Sequence, residues 1–256
     1  MRQLACIRLA RWLRGRWRNG DAVALGMLAS AFTLKFAYSR AGADDLAWVL
    51  VPSGWLATHV GGLDLTWEPL AGFISHHPRL VVGPPCAGVN FLVVAWLATF
   101  FASQGALVGA RKKLVWWGAT LALAYVATVG TNAVRIALAA HLQDACIYTA
   151  LVTRARVHRL LGVVLYCGVL VALCRVTSTR VRGLLAAPTF ATHLSWFGWY
   201  VGVAVVLPIA NRAFAQDPGR FTEHVTFTLA VGLAVLSAAW LGGRMVDRVC
   251  SRRAAS

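Results

Sequence analysis

The amino-acid sequence predicts an all-α polytopic membrane protein with about six transmembrane helices, and three observations carry that reading. Hydrophobic residues make up 59% of the 256 positions and charged residues 13%, about half the share in a soluble domain. The apolar stretches are continuous and approach the ~20 residues that cross a hydrocarbon core as a helix. They show no alternation of period two, which excludes a barrel of strands. Basic residues, finally, are gathered at alternate ends of these stretches.

In chain order, a basic segment (1–20) carries Arg2, Arg8, Arg11, Arg14, Arg16 and Arg18 ahead of a span at 21–38. The stretch "LAWVLVPSGWLATHVGG" (46–62) is broken by Pro52 and Gly54 and reads as a re-entrant or interfacial helix on the outer face. Spans follow at 87–105, 114–133, 157–175, 194–212 and 224–243. Arg111 to Lys113, the group Arg175, Arg180 and Arg182, and the group Arg244, Arg248, Arg252 and Arg253 join the first basic segment on one side if the spans alternate. Asp44, Asp45, Asp64, Glu68, Asp144, Asp217 and Glu223 fall on the other. This is the positive-inside pattern, with both termini cytoplasmic. The net charge of +16 therefore encodes orientation and argues against a nucleic-acid partner. "AGA" before Asp44 resembles a signal-peptide cleavage site, but the preceding apolar run is long for one, so an uncleaved anchor is expected. With no internal repeat or linker, residues 1–256 form one membrane domain. It divides into the basic tail, a motif-bearing core (21–175), and two further spans with a basic tail (176–256).

Three polar features fall at one membrane depth, on the outer side. In "VVGPPCAGVNF" (81–91), Cys86 sits where the chain re-enters the membrane, flanked by Pro84, Pro85 and Gly88. Most free cysteines act as small hydrophobes, as Cys167 and Cys174 inside the fourth span would. Cys86 lacks packing neighbours of that kind. In "TNAVRIALAAHL" (131–142), Arg135 lies in an apolar helix, where an arginine costs roughly 2.5–3.5 kcal/mol at the centre and less near an end. Its nearest acid in sequence is Asp144, and Asn132 shares its helical face. In "VHRLLGVVLY" (157–166), His158 opens the fourth span, and Gly162 one turn later admits close approach by another helix. Taken singly, the bland alternatives are a snorkelling arginine and an interfacial histidine. Together, a thiol, an imidazole and a guanidinium are the parts of a cysteine acyl-transfer site. A cation beside a thiol raises its thiolate fraction, an imidazole moves protons, and a guanidinium stabilises an oxyanion.

These motifs resemble the exosortase/archaeosortase family of membrane cysteine transpeptidases. "PPCAGVNF" looks like the family's Cys-x-Gly motif, "NAVRI" its Asn-x-x-Arg motif and "HRLLG" its histidine motif. The wording "CAGVNF" is closest to the exosortase K branch, and the resemblance covers roughly 20–175. It implies Cys86 as nucleophile, His158 as proton shuttle and Arg135 as transition-state stabiliser, with Asn132, Gly88 and Asn90 in support. It also implies a bacterial inner-membrane location, an active site on the extracytoplasmic face and no cofactor or metal. The partners would be the lipid bilayer and exported proteins that end in a short motif, a transmembrane helix and a basic tail.

Rival readings differ in class. In a small-anion transporter or a non-catalytic membrane component, Arg135 and His158 would be pathway or structural residues, but no inverted repeat is visible. A metal site would draw on His76, His77, His141, Cys86 or Cys146, and no HExxH is present. A Cys86–Cys146 disulfide would remove the nucleophile.

Overall fold

The computed structural model describes residues 19–76, 79–103, 109–143, 152–182 and 218–254, together with 107, 145, 147–149, 194, 197, 198, 201, 202 and 205. It is mostly helical. Helices α1 (Asn19–Tyr38), α2 (Ala47–Gly61), α3 (Val89–Ser103), α4 (Ala110–His141), α5 (Arg154–Arg182) and α6 (Pro218–Ala254) account for nearly all of it. Four helical segments among the described residues are long and apolar enough to cross a bilayer: Pro84–Ser103, Ala110–His141, Arg156–Ser178 and Val225–Gly242. The apolar part of α1, Ala22–Tyr38, is shorter. The span expected at 194–212 lies mostly outside the described residues, as do the N-terminal arginines.

Helix α3 stands at the centre because its sequence is apolar on every face. Between Val89 and Phe100 only Asn90 is exposed, and a helix with no polar stripe must be covered all round. It packs against α1, α4 and α5, with Phe91, Leu92, Trp96 and Phe100 in the main core. Helices α1, α3, α4 and α5 alternate in direction, and α6 starts at the same end as α5. At one end Gln143, after α4, donates to the Arg79 carbonyl at 2.7 Å, and Arg156 of α5 pairs with Glu223 of α6 at 3.2 Å. At the other end Trp116 of α4 donates to Ser103 of α3 at 2.6 Å. Large apolar side chains face outward around the bundle, Phe32 at 59% exposed and Val126 at 67% among them. Such a surface needs hydrocarbon rather than water against it.

The stretch 46–62 forms a continuous helix despite Pro52, and it packs lengthwise on α4. Its inner face buries Val49, Leu50 and Ala57, while Trp48, Val51, Trp55 and Val60 point outward, so both faces are apolar and the outer one suits hydrocarbon rather than water. One element is absent from the sequence reading: a three-stranded antiparallel sheet, β1 (Thr66–Glu68), β2 (Gly72–His76) and β3 (Arg79–Val82), in the order β1-β2-β3. Its register sets Trp67 opposite Phe73 and Ile74 opposite Val81. Gly54 of α2 leaves room for the Phe73 ring, and Phe73 and Val82 join Leu50, Ala133 and Ile136 in a second core. The sheet thus roofs α2 and α4 and hands the chain to Pro84.

Candidate active site

Residues 84–86 form a single 3₁₀ turn entering α3, in which Cys86 N–H donates to the Gly83 carbonyl at 2.8 Å and Ala87 N–H to the Pro84 carbonyl at 3.1 Å. The two prolines supply fixed φ values for this corner. Tyr38, at the end of α1, donates to the Pro84 carbonyl at 3.2 Å, which ties the first helix to the corner. Cys86 is half-buried and carries a free thiol. Cys146 lies outside the described residues.

Asn132 is fully buried on α4 and donates from Nδ2 to the Cys86 carbonyl at 2.5 Å. Its Oδ1 accepts from the Tyr166 hydroxyl at 3.1 Å, and that hydroxyl accepts from Arg135 Nη1 at 2.8 Å. A relay thus runs from Arg135 through Tyr166 and Asn132 to the backbone of the cysteine. The Tyr166 ring is held flat on Phe91, with centroids 4.6 Å apart at 9°. Gly88 closes the relay. Its φ of +72° is a left-handed conformation that favours glycine. A Cβ there would come within 3.2 Å of Thr128 and 3.4 Å of the Tyr166 hydroxyl.

Arg135 is 7% exposed and has no acidic partner among the described residues. Its Nε–H is buried and has no hydrogen-bond partner among the described residues. Buried donors are paired in the great majority of cases, so this one is a vacant donor on a permanent cation. The side chain lies over Gly162, where a Cβ would stand 3.8 Å from Cδ and Nη1. That is an ordinary packing distance, so the guanidinium rests on this turn of α5.

His158 stands one turn before Gly162, within electrostatic reach of the Arg135 guanidinium. It makes no hydrogen bond to Cys86. The imidazole belongs to an exposed residue and lines an open cavity of about 200 Å³ bounded by β3, the end of α4 and the start of α5. The structure therefore joins Asn132 to Cys86 directly and Arg135 to Asn132 through Tyr166, with Gly88 packed against them, and His158 stands one turn from the Arg135–Gly162 contact. Asn90 orients a group on α1. It is exposed and accepts from Lys35 Nζ at 2.5 Å, because position 90 turns toward α1.

Three residues went unremarked in the sequence reading. Tyr166 has a visible signal, standing four residues after Gly162 and eight after His158 on the same face of α5. Lys35 and Tyr38 show only as polar residues near the end of the first span. Of the residues a metal site would draw on, His77 and Cys146 lie outside the described residues; among the described residues no three His, Cys, Asp or Glu side chains come together, and His141 contacts the Gly61 carbonyl at 2.9 Å. Beyond the site, Glu223 accepts from Arg156, and with Arg159 also beside it its carboxyl is held below the usual range. No family model, curated protein or solved structure matches the chain.

Proposed function

We propose that this chain is a membrane-embedded cysteine peptidase or transpeptidase of the exosortase type, acting on the C-terminal sorting signals of exported proteins. The observation that carries the reading is the vacant Nε–H of a buried, unneutralised Arg135, tied by a two-residue relay to the backbone of Cys86. An arginine kept in an apolar bundle without an acid is suited to a charge that arrives with the substrate. A tetrahedral oxyanion is such a charge, and it exists only during reaction.

The chemistry follows from these groups. His158 takes the Cys86 proton, and Sγ attacks the scissile carbonyl carbon to form a C–S bond. The oxyanion is met by Arg135. The C–N bond then breaks, His158 returns the proton to the leaving amine, and an S-acyl thioester remains on Cys86. Water or an acceptor amine attacks the thioester and regenerates the thiol. His158 must close on the thiol when substrate binds, as unliganded catalytic contacts commonly do. An extracytoplasmic site is part of the same proposal, drawn from the distribution of charge, and its place in a bacterial inner membrane is drawn from the resemblance.

The test is covalent trapping. Full-length protein incubated with exported proteins bearing such signals should accumulate an acyl adduct on Cys86 that hydroxylamine releases. Cys86→Ala should form none. An adduct that persists in Cys86→Ala would refute the assignment.

The rival anion-pathway reading has one feature to draw on, the same unneutralised guanidinium. It differs in predicting that Arg135→Lys retains function, because a pathway needs only the field.

A further inference from the structure

The cavity that His158 lines has a polar wall the proposed chemistry does not use. Arg79, the first residue of β3, and Arg154, the first residue of α5, face it together with Gln143 and Tyr148. Neither arginine has an acidic partner among the described residues. The contrast is with Arg156 and Arg159 on the same turns of α5, whose charge Glu223 takes up at 3.2 and 3.3 Å. One acid thus neutralises one side of the helix start and leaves the cavity side cationic.

The wall is also held in shape. Gln143 donates to the Arg79 carbonyl at 2.7 Å, which fixes β3 to the end of α4. The Tyr148 hydroxyl donates to the Leu142 carbonyl, and the Arg154 guanidinium lies 5.4 Å from the Tyr148 ring centroid. Three elements therefore present two guanidiniums, a phenol and a carboxamide to one space of about 200 Å³. The remaining lining is apolar, with Leu80, Leu142 and Leu161 among it. The mouth lies where the spanning segment Arg156–Ser178 begins.

We infer that this cavity binds a phosphate oxyanion carried on an apolar body, the headgroup of an anionic phospholipid. Planar guanidinium forks match phosphate oxygens two at a time. Basic pockets at the ends of spanning helices hold lipid headgroups by the same chemistry. The apolar lining distinguishes a lipid from free phosphate, because it has a use only if hydrocarbon follows the headgroup into the cavity. The inference is independent of the peptidase reading, since binding requires neither Cys86 nor turnover.

The experiment is a thermal-unfolding titration of the full chain, purified in an uncharged detergent, with dihexanoylphosphatidylglycerol below its micelle-forming concentration. A ligand of the folded state raises the transition temperature saturably. Wild type should show that rise, and Arg79→Gln and Arg154→Gln should each weaken the half-saturating concentration by about tenfold, roughly 1.4 kcal/mol. Arg111→Gln with Lys112→Gln, at the opposite end of α4, should respond like wild type. Inorganic phosphate should compete only weakly. An unchanged response in both Arg79→Gln and Arg154→Gln, or no saturable response in wild type, would overturn the site. A response to inorganic phosphate equal to that for the lipid would overturn the lipid assignment.

Discussion

Arg135 is the residue on which the proposed chemistry turns, and its surroundings separate geometry from charge. Its Nη1 is committed to Tyr166 and its Nε is vacant. Lysine would keep the charge but offer neither the fork nor both contacts. Arg135→Lys should therefore lower processing by about 10²–10³, the usual loss for an oxyanion donor, measured as accumulation of unprocessed substrate at matched protein levels. Near-normal processing by both Arg135→Lys and Arg135→Ala would reduce Arg135 to an interfacial anchor. Tyr166→Phe keeps the ring on Phe91 and removes only the hydroxyl. It strands Asn132 Oδ1 and Arg135 Nη1 in a buried setting, so unfolding stability should fall by about 1–3 kcal/mol, with a slower reaction at unchanged substrate affinity. Gly88→Ala should be worse than its size suggests, since a left-handed φ costs a residue with a Cβ about 1–2 kcal/mol and the methyl crowds the Tyr166 hydroxyl.

Among elements, the α5–α6 junction depends on one acid serving two arginines. The Glu223 carboxyl is lowered first by its hydrogen bond from Arg156. A depressed folded-state pKa contributes stability that is present above the ordinary glutamate range and is lost as pH falls through the lowered value. Acidification should thus loosen α6 from α5, and Glu223→Gln should abolish that pH dependence. Spin labels on the two helices, followed by distance measurements from neutral pH down to pH ~3, would read it; the group is exposed, so the effect is small and salt-sensitive. The elements legible in the sequence were those defined by a continuous local signal. The long apolar runs gave α3 and the span in α6 to within two residues, and placed α4 and α5 but stopped eight and seven residues short of their ends. Helix α2 was legible in place, although Pro52 and Gly54 made it look interrupted; Gly54 instead makes room for Phe73. The sheet was not read because its strands are three to five residues long and their pairing is settled by packing on α2, a non-local event. Cys86, Asn132 and Arg135 were legible as site residues because each breaks a local pattern. Tyr166 passed as an ordinary aromatic because its role depends on partners 31 and 34 positions away. The partner of Asn90 was hidden for a related reason, since only the tertiary arrangement reveals Lys35 beside it.

At the scale of the whole molecule, the alternating helices put the candidate site, the sheet and the cavity at one end of the bundle, opposite the basic turn Arg111–Lys113. Reporter fusions after residues 110 and 180 should read cytoplasmic, and fusions near 65 and 148 should read extracytoplasmic. An exterior signal at 110 would contradict that orientation. Cys86 should also react with a membrane-impermeant maleimide added from outside, being half-buried rather than enclosed. The central claim is that this end of the bundle cleaves exported proteins through the Cys86 thiol. Its most direct test is mass spectrometry of the C-termini of exported proteins, in cells carrying wild type or Cys86→Ala at matched levels. With wild type, proteins encoded with a terminal apolar helix and basic tail should be recovered with new C-termini upstream of that helix. Cys86→Ala should leave the helix attached. Identical cleaved C-termini in both strains would contradict the claim.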